Sequence, residues 1–257
     1  MSRCPPRRHS LAALLLAALL AAPAASAGGD GLPAPLRAFE AEYRVVRSGL
    51  RLGTTSVALA PHGGGWRYRS VTEAEGLFSL FVDGAAIDQS VFTVRDGGLR
   101  PLRYRHEEPD AEDNLRVDFR WGRGEARVEH HEGAYTVALE PRTHDPFTVI
   151  LSVMQALAAG KDGVAFPGID DDGERVELRF EVSGRETVEV PLGRYESVRV
   201  RRVRDDKRST VTWFAPGLDW LPVRFEQRRK GDLVARMELE ALDGRRAEPE
   251  EPRRPRR

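Results

Sequence analysis

Several clusters in the 257-residue chain carry the side chains that metal binding or catalysis requires. His130 and His131 adjoin in "RVEHH" and invite a metal reading. Neighbours on a strand point to opposite faces, however, so the two imidazoles cannot share an ion without a bulge, and no nearby spacing supplies the other ligands of tetrahedral zinc. "HEEPDAEDN", His106 to Asn114, and "IDDDGE", Ile169 to Glu174, gather carboxylates. Neither has the alternating oxygen spacing of a calcium loop, and both read as solvated acidic turns. "THD", Thr143 to Asp145, resembles a catalytic fragment by composition, but the helix start that follows already accounts for Asp145 as an N-cap. No nucleophile elbow is present, and the only cysteine, Cys4, lies in a leader segment. The expectation is a chain with no catalytic residue, no metal site and no cofactor, because no acid, base, nucleophile or ligand set converges.

The leader places these residues in a compartment. Arg3, Arg7 and Arg8 precede an apolar run from Leu11 to Ala22 and a small-residue site, Ala25-Ser26-Ala27, so residues 1–27 read as a cleavable signal peptide. The apolar run is well short of the roughly 20 residues that span a bilayer. Cys4 stands before that run rather than just after it, where a lipid-carrying cysteine belongs, so the expected product is periplasmic, not a lipoprotein, and has no transmembrane anchor after cleavage. Arginine plus lysine balance aspartate plus glutamate at 40 each. Loss of three arginines with the leader leaves a slightly acidic chain whose charges interleave in sign, which argues against nucleic acid as a partner.

Residues 28–37 read as a flexible N-terminal segment and 38–243 as a single β-rich domain. Residues 244–257, "GRRAEPEEPRRPRR", lack large apolar side chains and read as a disordered charged tail. Within the domain the dominant period is two. "FEAEYRV" sets Phe39, Ala41, Tyr43 and Val45 against Glu40, Glu42 and Arg44; "LRVDFRW" sets Leu115, Val117, Phe119 and Trp121 against Arg116, Asp118 and Arg120. Such alternation marks half-buried strands. It recurs in "VELRFEV", "ETVEV", "ESVRVRRV", "STVTWF", "VRFEQR" and "VARMELEAL", joined by Gly, Pro, Asp and Asn turns and by no long helices, so the sheet is expected to be mostly antiparallel.

Two segments break the period. "DPFTVILSVMQALAAG" predicts a helix from Asp145 to Ala159, with Pro146 in its first turn and Gly160 ending it. Only Thr148, Ser152 and Gln155 form a polar stripe on it, so it is expected to be embraced by a concave sheet. "EGLFSLFVDG" places Leu77, Phe78, Leu80 and Phe81 between turn signals, too apolar for an ordinary loop. In "TVTWFAPGLDWLPVRFEQ" a hairpin turns at Pro216-Gly217 with Trp213 and Trp220 on either side, and Pro222 is confined to a strand start or an edge. The two rings could close one end of the sheet over its core or line a mouth for an apolar ligand.

"ETVEVPLGRYESVRVRRV", "RSTVTWFAPGLDWLPVRFE" and "ARMELEAL" together resemble the C-terminal signature of DUF3108, a domain of unknown function in exported proteins of Gram-negative bacteria. "FEAEYRVVRSGLRLGT" and the "DPFTVILSVMQAL" helix are also similar to that family. The resemblance implies a periplasmic location and a β-rich fold, and implies no activity.

The expected architecture is all-β: a strongly curved, mostly antiparallel sheet or incomplete barrel wrapped around a buried helix, with a two-sheet sandwich capped by the helix as the alternative. The expected role is noncatalytic binding of a lipid, an acyl chain or an apolar envelope protein, with Leu77, Phe78, Leu80, Phe81, Trp213 and Trp220 as candidate ligand contacts. The alternative is an envelope scaffold with a packed interior. The sequence leaves the oligomeric state open.

Overall fold

A computed structural model describes residues 34–76, 79, 84–109, 112, 114–203 and 208–247. The leader, Leu77, Phe78, Leu80 and Phe81 therefore lie outside the described residues. The alternating segments form strands β1 (Phe39–Arg47), β2 (Leu50–His62), β3 (Gly65–Ala74), β4 (Ala85–Arg95), β5 (Gly98–Glu107), β6 (Leu115–Arg120), β7 (Glu125–His130) and β8 (Gly133–Ala138). Helix α1 (Thr148–Ala158) follows. After it come β9 (Gly163–Ile169), β10 (Arg175–Val190), β11 (Gly193–Val203), β12 (Arg208–Ala215), β13 (Leu221–Arg229), β14 (Asp232–Leu242) and the two-residue β15 (Arg245–Arg246).

These 15 strands make one sheet in the order β8-β7-β6-β5-β4-β3-β2-β1-β14-β13-β12-β11-β10-β9, with β15 on β14. It consists of two antiparallel meanders, β1 to β8 and β9 to β14, joined where β1 pairs β14. The sandwich alternative gives way to this single sheet. Helix α1 is the connection that carries the chain from the β8 edge to the β9 edge. Its Val149, Val153 and Leu157 share a core cluster with Leu178, Phe180, Val198, Val200 and Phe214 of the second meander, and Leu151 joins the cluster built on β1–β3 and β13–β14.

The two edges approach without forming a ladder. Ile169 of β9 packs in one cluster with Tyr104, Leu115, Val117 and Val128 of β5–β7. Tyr135 Oη of β8 donates to Gly173 O at 3.2 Å, and Arg175 pairs with Glu140. Gly173, at φ +79°, sits so close to β7 that a Cβ there would meet Val128 Cγ1 at 2.6 Å, which explains the glycine. The chain entering α1 fills the remaining gap: His144 N donates to Pro167 O and Ile169 N donates to His144 O, both at 2.9 Å. The barrel is incomplete, with a loop in its seam.

Local departures from the alternating pattern have physical causes. "VELRFEV" and "ETVEV" are one 16-residue strand, β10, because Ser183-Gly184 forms a bulge rather than a turn. β6 stops at Arg120, and Trp121 enters a 3-10 turn, where its Nε1 donates to Pro101 O at 2.6 Å and Arg100 lies 4.7 Å from its ring. The acidic turn after β9 is not simply solvated. Asp170 is buried, and its Oδ1 accepts from the N–H groups of Asp172 and Glu174. Interleaved charges become ion pairs: across strands, the buried Glu238 holds Arg44 at 2.7 Å and Arg224 at 3.1 Å and Glu226 holds Arg236 at 2.8 Å, while along β13 Glu226 also holds Arg228 at 3.0 Å.

The regular helix begins at Thr148, later than the sequence pattern suggests, yet Asp145 does cap it. Its Oδ1 accepts from Phe147 N at 2.9 Å and Thr148 N at 2.7 Å, and Thr148 Oγ1 accepts in return from Asp145 N at 3.0 Å, a reciprocal capping box. Ser90 Oγ of β4 donates to Oδ2. Asp145 is fully buried. Asp145→Ala is expected to destabilise the protein by roughly 1–3 kcal/mol, the range for a lost cap that also strands buried donors. Asp145→Asn, which keeps an acceptor, should lose less. Urea denaturation checks this, and an unchanged midpoint for the alanine variant would show that the cap carries no stability.

Candidate functional site

The polar stripe of α1 is the starting point, because each of its members is engaged. Thr148 closes the capping box, Ser152 Oγ lies 3.4 Å from His144 Nε2, and Gln155 Oε1 accepts from Ala34 N at 2.7 Å. The last contact ties residues preceding β1 to the helix. Leu36 and Phe39 then pack against the core, and Arg37 reaches Asp219 at 3.4 Å on the surface.

The β12–β13 turn faces this segment. Pro216–Leu218 form a 3-10 turn, and Trp220 N closes it on Ala215 O at 3.0 Å. The left-handed positions fall on Asp219 (φ +52°) and Trp220 (φ +65°) rather than on Gly217. Two consecutive non-glycine residues in that region cost energy, and their strain aims the Trp220 side chain. Pro222 stands near the start of β13 beside a bulge, and its carbonyl accepts from Tyr43 Oη at 2.8 Å.

Between these parts lies a cavity of about 570 Å³. Its walls include Leu36, Phe39, Leu59, Leu151, Met154, Ala158, Trp220, Leu221 and Leu242, with Arg37, Asp219, Asp243 and Arg245 among its polar lining. It is a mouth at one side of the half-barrel, with the exposed Ala158 on its helical wall. Trp220 lines it and packs against the core cluster around α1. Trp213 is not among the lining residues. It shares a sheet face with Arg224, its cross-strand partner, is almost fully buried, and donates from Nε1 to Glu186 Oε1 at 2.9 Å. The hairpin therefore brings one of its two tryptophans to the cavity; Phe214 clusters with Val149, Val153 and Leu157 of the helix, and Trp213 belongs to the cluster that holds Leu151.

The other chemistry-bearing residues stay dispersed. β7 ends at His130, His131 lies in the following turn, and their rings sit edge to face 5.9 Å apart. Asp170, Asp171 and Asp172 bring carboxylate oxygens within 4.8 Å of one another, but Asp170 is already occupied by N–H groups of its own turn. Asp88 Oδ1 accepts from Tyr104 Oη at 2.8 Å and contacts His106 Nδ1 at 2.7 Å, an interaction that raises the His106 pKa. Nothing in the spacing of Asp88 and His106 announces this pair; only the β4–β5 register makes them partners.

The sequence profile of DUF3108, described as a protein of unknown function, matches residues 39–240. The chain belongs to the DUF3108 family. Comparison of this DUF3108 chain with curated proteins gives no match. Among solved structures it is similar to a β-barrel-like protein of the DUF1849 family from Brucella abortus, with 14% identity, a TM-score of 0.51, and coverage of 82% of this chain and 98% of that one. It also aligns with a candidate lipoprotein from Parabacteroides distasonis (9% identity, TM-score 0.36, 82% and 98% coverage). A candidate exported protein with a YmcC-like fold from Bacteroides fragilis aligns at 13% identity, TM-score 0.32, and 80% and 93% coverage. The first likeness supports the barrel-like fold alone. Among the described residues of this DUF3108 chain, no helix is long and apolar enough to cross a membrane.

His144 is a buried histidine whose charging the fold opposes. Burial, and then the charge of Arg142, push its pKa down from the usual 6.5 to about 3. A histidine kept neutral in the fold stabilises it fully above pH 6.5, and that contribution is lost as pH falls from 6.5 toward 3. His144→Gln should flatten the stability profile in that window, by about 3 kcal/mol at pH 4.5 relative to wild type. Denaturation midpoints at neutral and acid pH test it, and parallel profiles for the two proteins would contradict it.

Proposed function

We propose that the protein is a noncatalytic binding protein of the periplasm that holds the acyl chain of a lipid in the mouth between Leu36, α1 and Trp220. The observation that carries this reading is the cavity itself. Its volume falls in the ordinary range for small-ligand sites, and apolar walls with a few polar groups suit a chain that carries a polar end. Residues 1–27 support export, and the position of Cys4 ahead of the apolar run supports a product without its own lipid. Leu77, Phe78, Leu80 and Phe81 stay in the proposal on composition, as an apolar segment suited to the same ligand or to an apolar envelope protein. Trp220 is the ring contact of the site. Trp213 enters it only indirectly, by holding the strand that leads into the turn.

Ala158→Trp should fill the mouth from the helical side without disturbing the core, because Ala158 is exposed. Native mass spectrometry of protein recovered from the periplasm is expected to show a copurifying lipid. A fluorescent acyl probe should bind wild type and lose about tenfold or more in affinity for Ala158→Trp, a difference of about 1.4 kcal/mol. Absence of both lipid and probe binding in wild type, or equal probe binding by the variant, would reject the acyl site.

A further inference from the structure

A second cavity, of about 320 Å³, opens on another flank of α1, bounded by the β4–β5 turn at Gly97 and Gly98, the second half of the helix and the start of β9. Its chemistry differs from that of the mouth. Among the described residues no carboxylate lines it, whereas Arg142 and Lys161 both do. Neither cation has a carboxylate partner among the described residues.

Arg142 is exposed and stands beside the β4–β5 turn. It adopts φ +64°, unusual for a side-chain-bearing residue, and its guanidinium lies over Gly98, where a Cβ would stand 3.8 Å from Nε. Two residues on, His144 is 98% buried, given its 2% exposure, and its Nδ1 has no hydrogen-bond partner among the described residues. A buried polar atom left unpartnered costs free energy, so such atoms gather where a ligand or a mechanism needs them. Its Nε2 faces Ser152 Oγ at 3.4 Å, a long contact that leaves the hydroxyl able to serve another acceptor. Gln155 borders both cavities, and with its Oε1 bound to Ala34 N the amide NH2 remains as a donor.

We propose that this cavity is an oxyanion site, binding a carboxylate or phosphate group between Arg142 and Lys161, with Ser152 and Gln155 as neutral donors. Hydrogen bonds from charged donors to an anion are about twice as strong as neutral ones, and two cations on a cavity that no described carboxylate lines attract an anion rather than a cation. The carboxyl-terminal end of α1 contributes roughly half a negative charge nearby, which offsets about half of one cation; the second cation leaves the site clearly positive. His144 adds no third charge, because its depressed pKa keeps it neutral at physiological pH. The pocket is thus set for a group of low charge.

The anion could belong to a free organic acid, to inorganic phosphate or to the head of an amphipathic lipid. Isothermal titration of the purified protein with succinate, inorganic phosphate, decanoate and decanol separates these sources. At least one of the three anions is expected to bind with a submillimolar Kd and to lose about tenfold in affinity in both Arg142→Gln and Lys161→Glu. Decanol, which has the chain but no charge, should be indifferent to both changes. Succinate or phosphate binding identifies a free acid; decanoate binding alone identifies a lipid head. Arg142 and Lys161 are both exposed, and Lys161, which lacks the left-handed backbone of Arg142, tests the site even if Arg142→Gln fails to fold. No binding by any of the three anions, or anion binding unchanged in Lys161→Glu, overturns the proposal. Decanol binding under either of those outcomes would leave the acyl mouth standing, and anion binding without decanol binding would do the reverse.

Discussion

The carboxylate of Asp145 joins the sheet to the helix at a point that solvent does not reach. Burial opposes its charge and raises its pKa, while donors from Ser90, Thr148 and Phe147 act the other way. The positive end of the helix favours the ionised form as well. Those contacts fix more than a helix end. Ser90 belongs to β4, inside the first meander, and Phe147 stacks on Tyr68 of β3 at 4.6 Å while meeting Tyr104 of β5 edge to face at 6.1 Å. The loop from Glu140 to Phe147 is thereby pinned at its end, and the pinning sets where Arg142 and His144 stand.

The same loop explains why the barrel stays open. A fifteen-stranded sheet that curls around a helix brings its edges together, and an unpaired edge invites another strand. Here β9 gives two of its outward backbone groups to His144, and Pro167 has no N–H to offer. On the opposite edge, β8 spans six residues and leans on Gly173 through Tyr135. A direct β8–β9 ladder would have to displace the segment that carries the helix cap. Closure and helix docking compete for one space, and the buried cap decides the outcome.

Much of this was readable in the sequence because the period of two survives burial on one face. Leu115, Val117 and Phe119 are all buried and alternate with half-exposed Arg116 and Asp118, as their order requires. The "DPFT" start revealed the cap but not its depth. N-cap preference concerns local backbone groups, whereas the bond from Ser90 spans 55 residues. Gly184 reads as a turn from composition because a bulge and a turn both use glycine; only pairing across β10 and β11 tells them apart. The two tryptophans were legible as hairpin residues and illegible as a pair. Alternation puts Trp213 and Phe214 on opposite faces, but the left-handed geometry at Asp219 and Trp220 breaks the register that would predict where the second ring goes.

The polar stripe shows how a helix with little polar surface can still organise function. Thr148, Ser152 and Gln155 follow at intervals of four and three, so they run along one side of α1. The first is spent on the fold, the second touches a buried histidine, and the third holds the segment ahead of β1. Proceeding along the helix, partners change from the interior of the protein to its rim, and commitment to the core decreases in the same direction. Had the stripe been apolar, closer packing against the entering chain would have sealed this side of the helix. Had it been charged, the helix could not have been buried at its first turn. Neutral hydrogen-bonding side chains satisfy both demands, which is why the cavity lined by Leu36 and Trp220 and the one lined by Arg142 and Lys161 share a wall at Gln155.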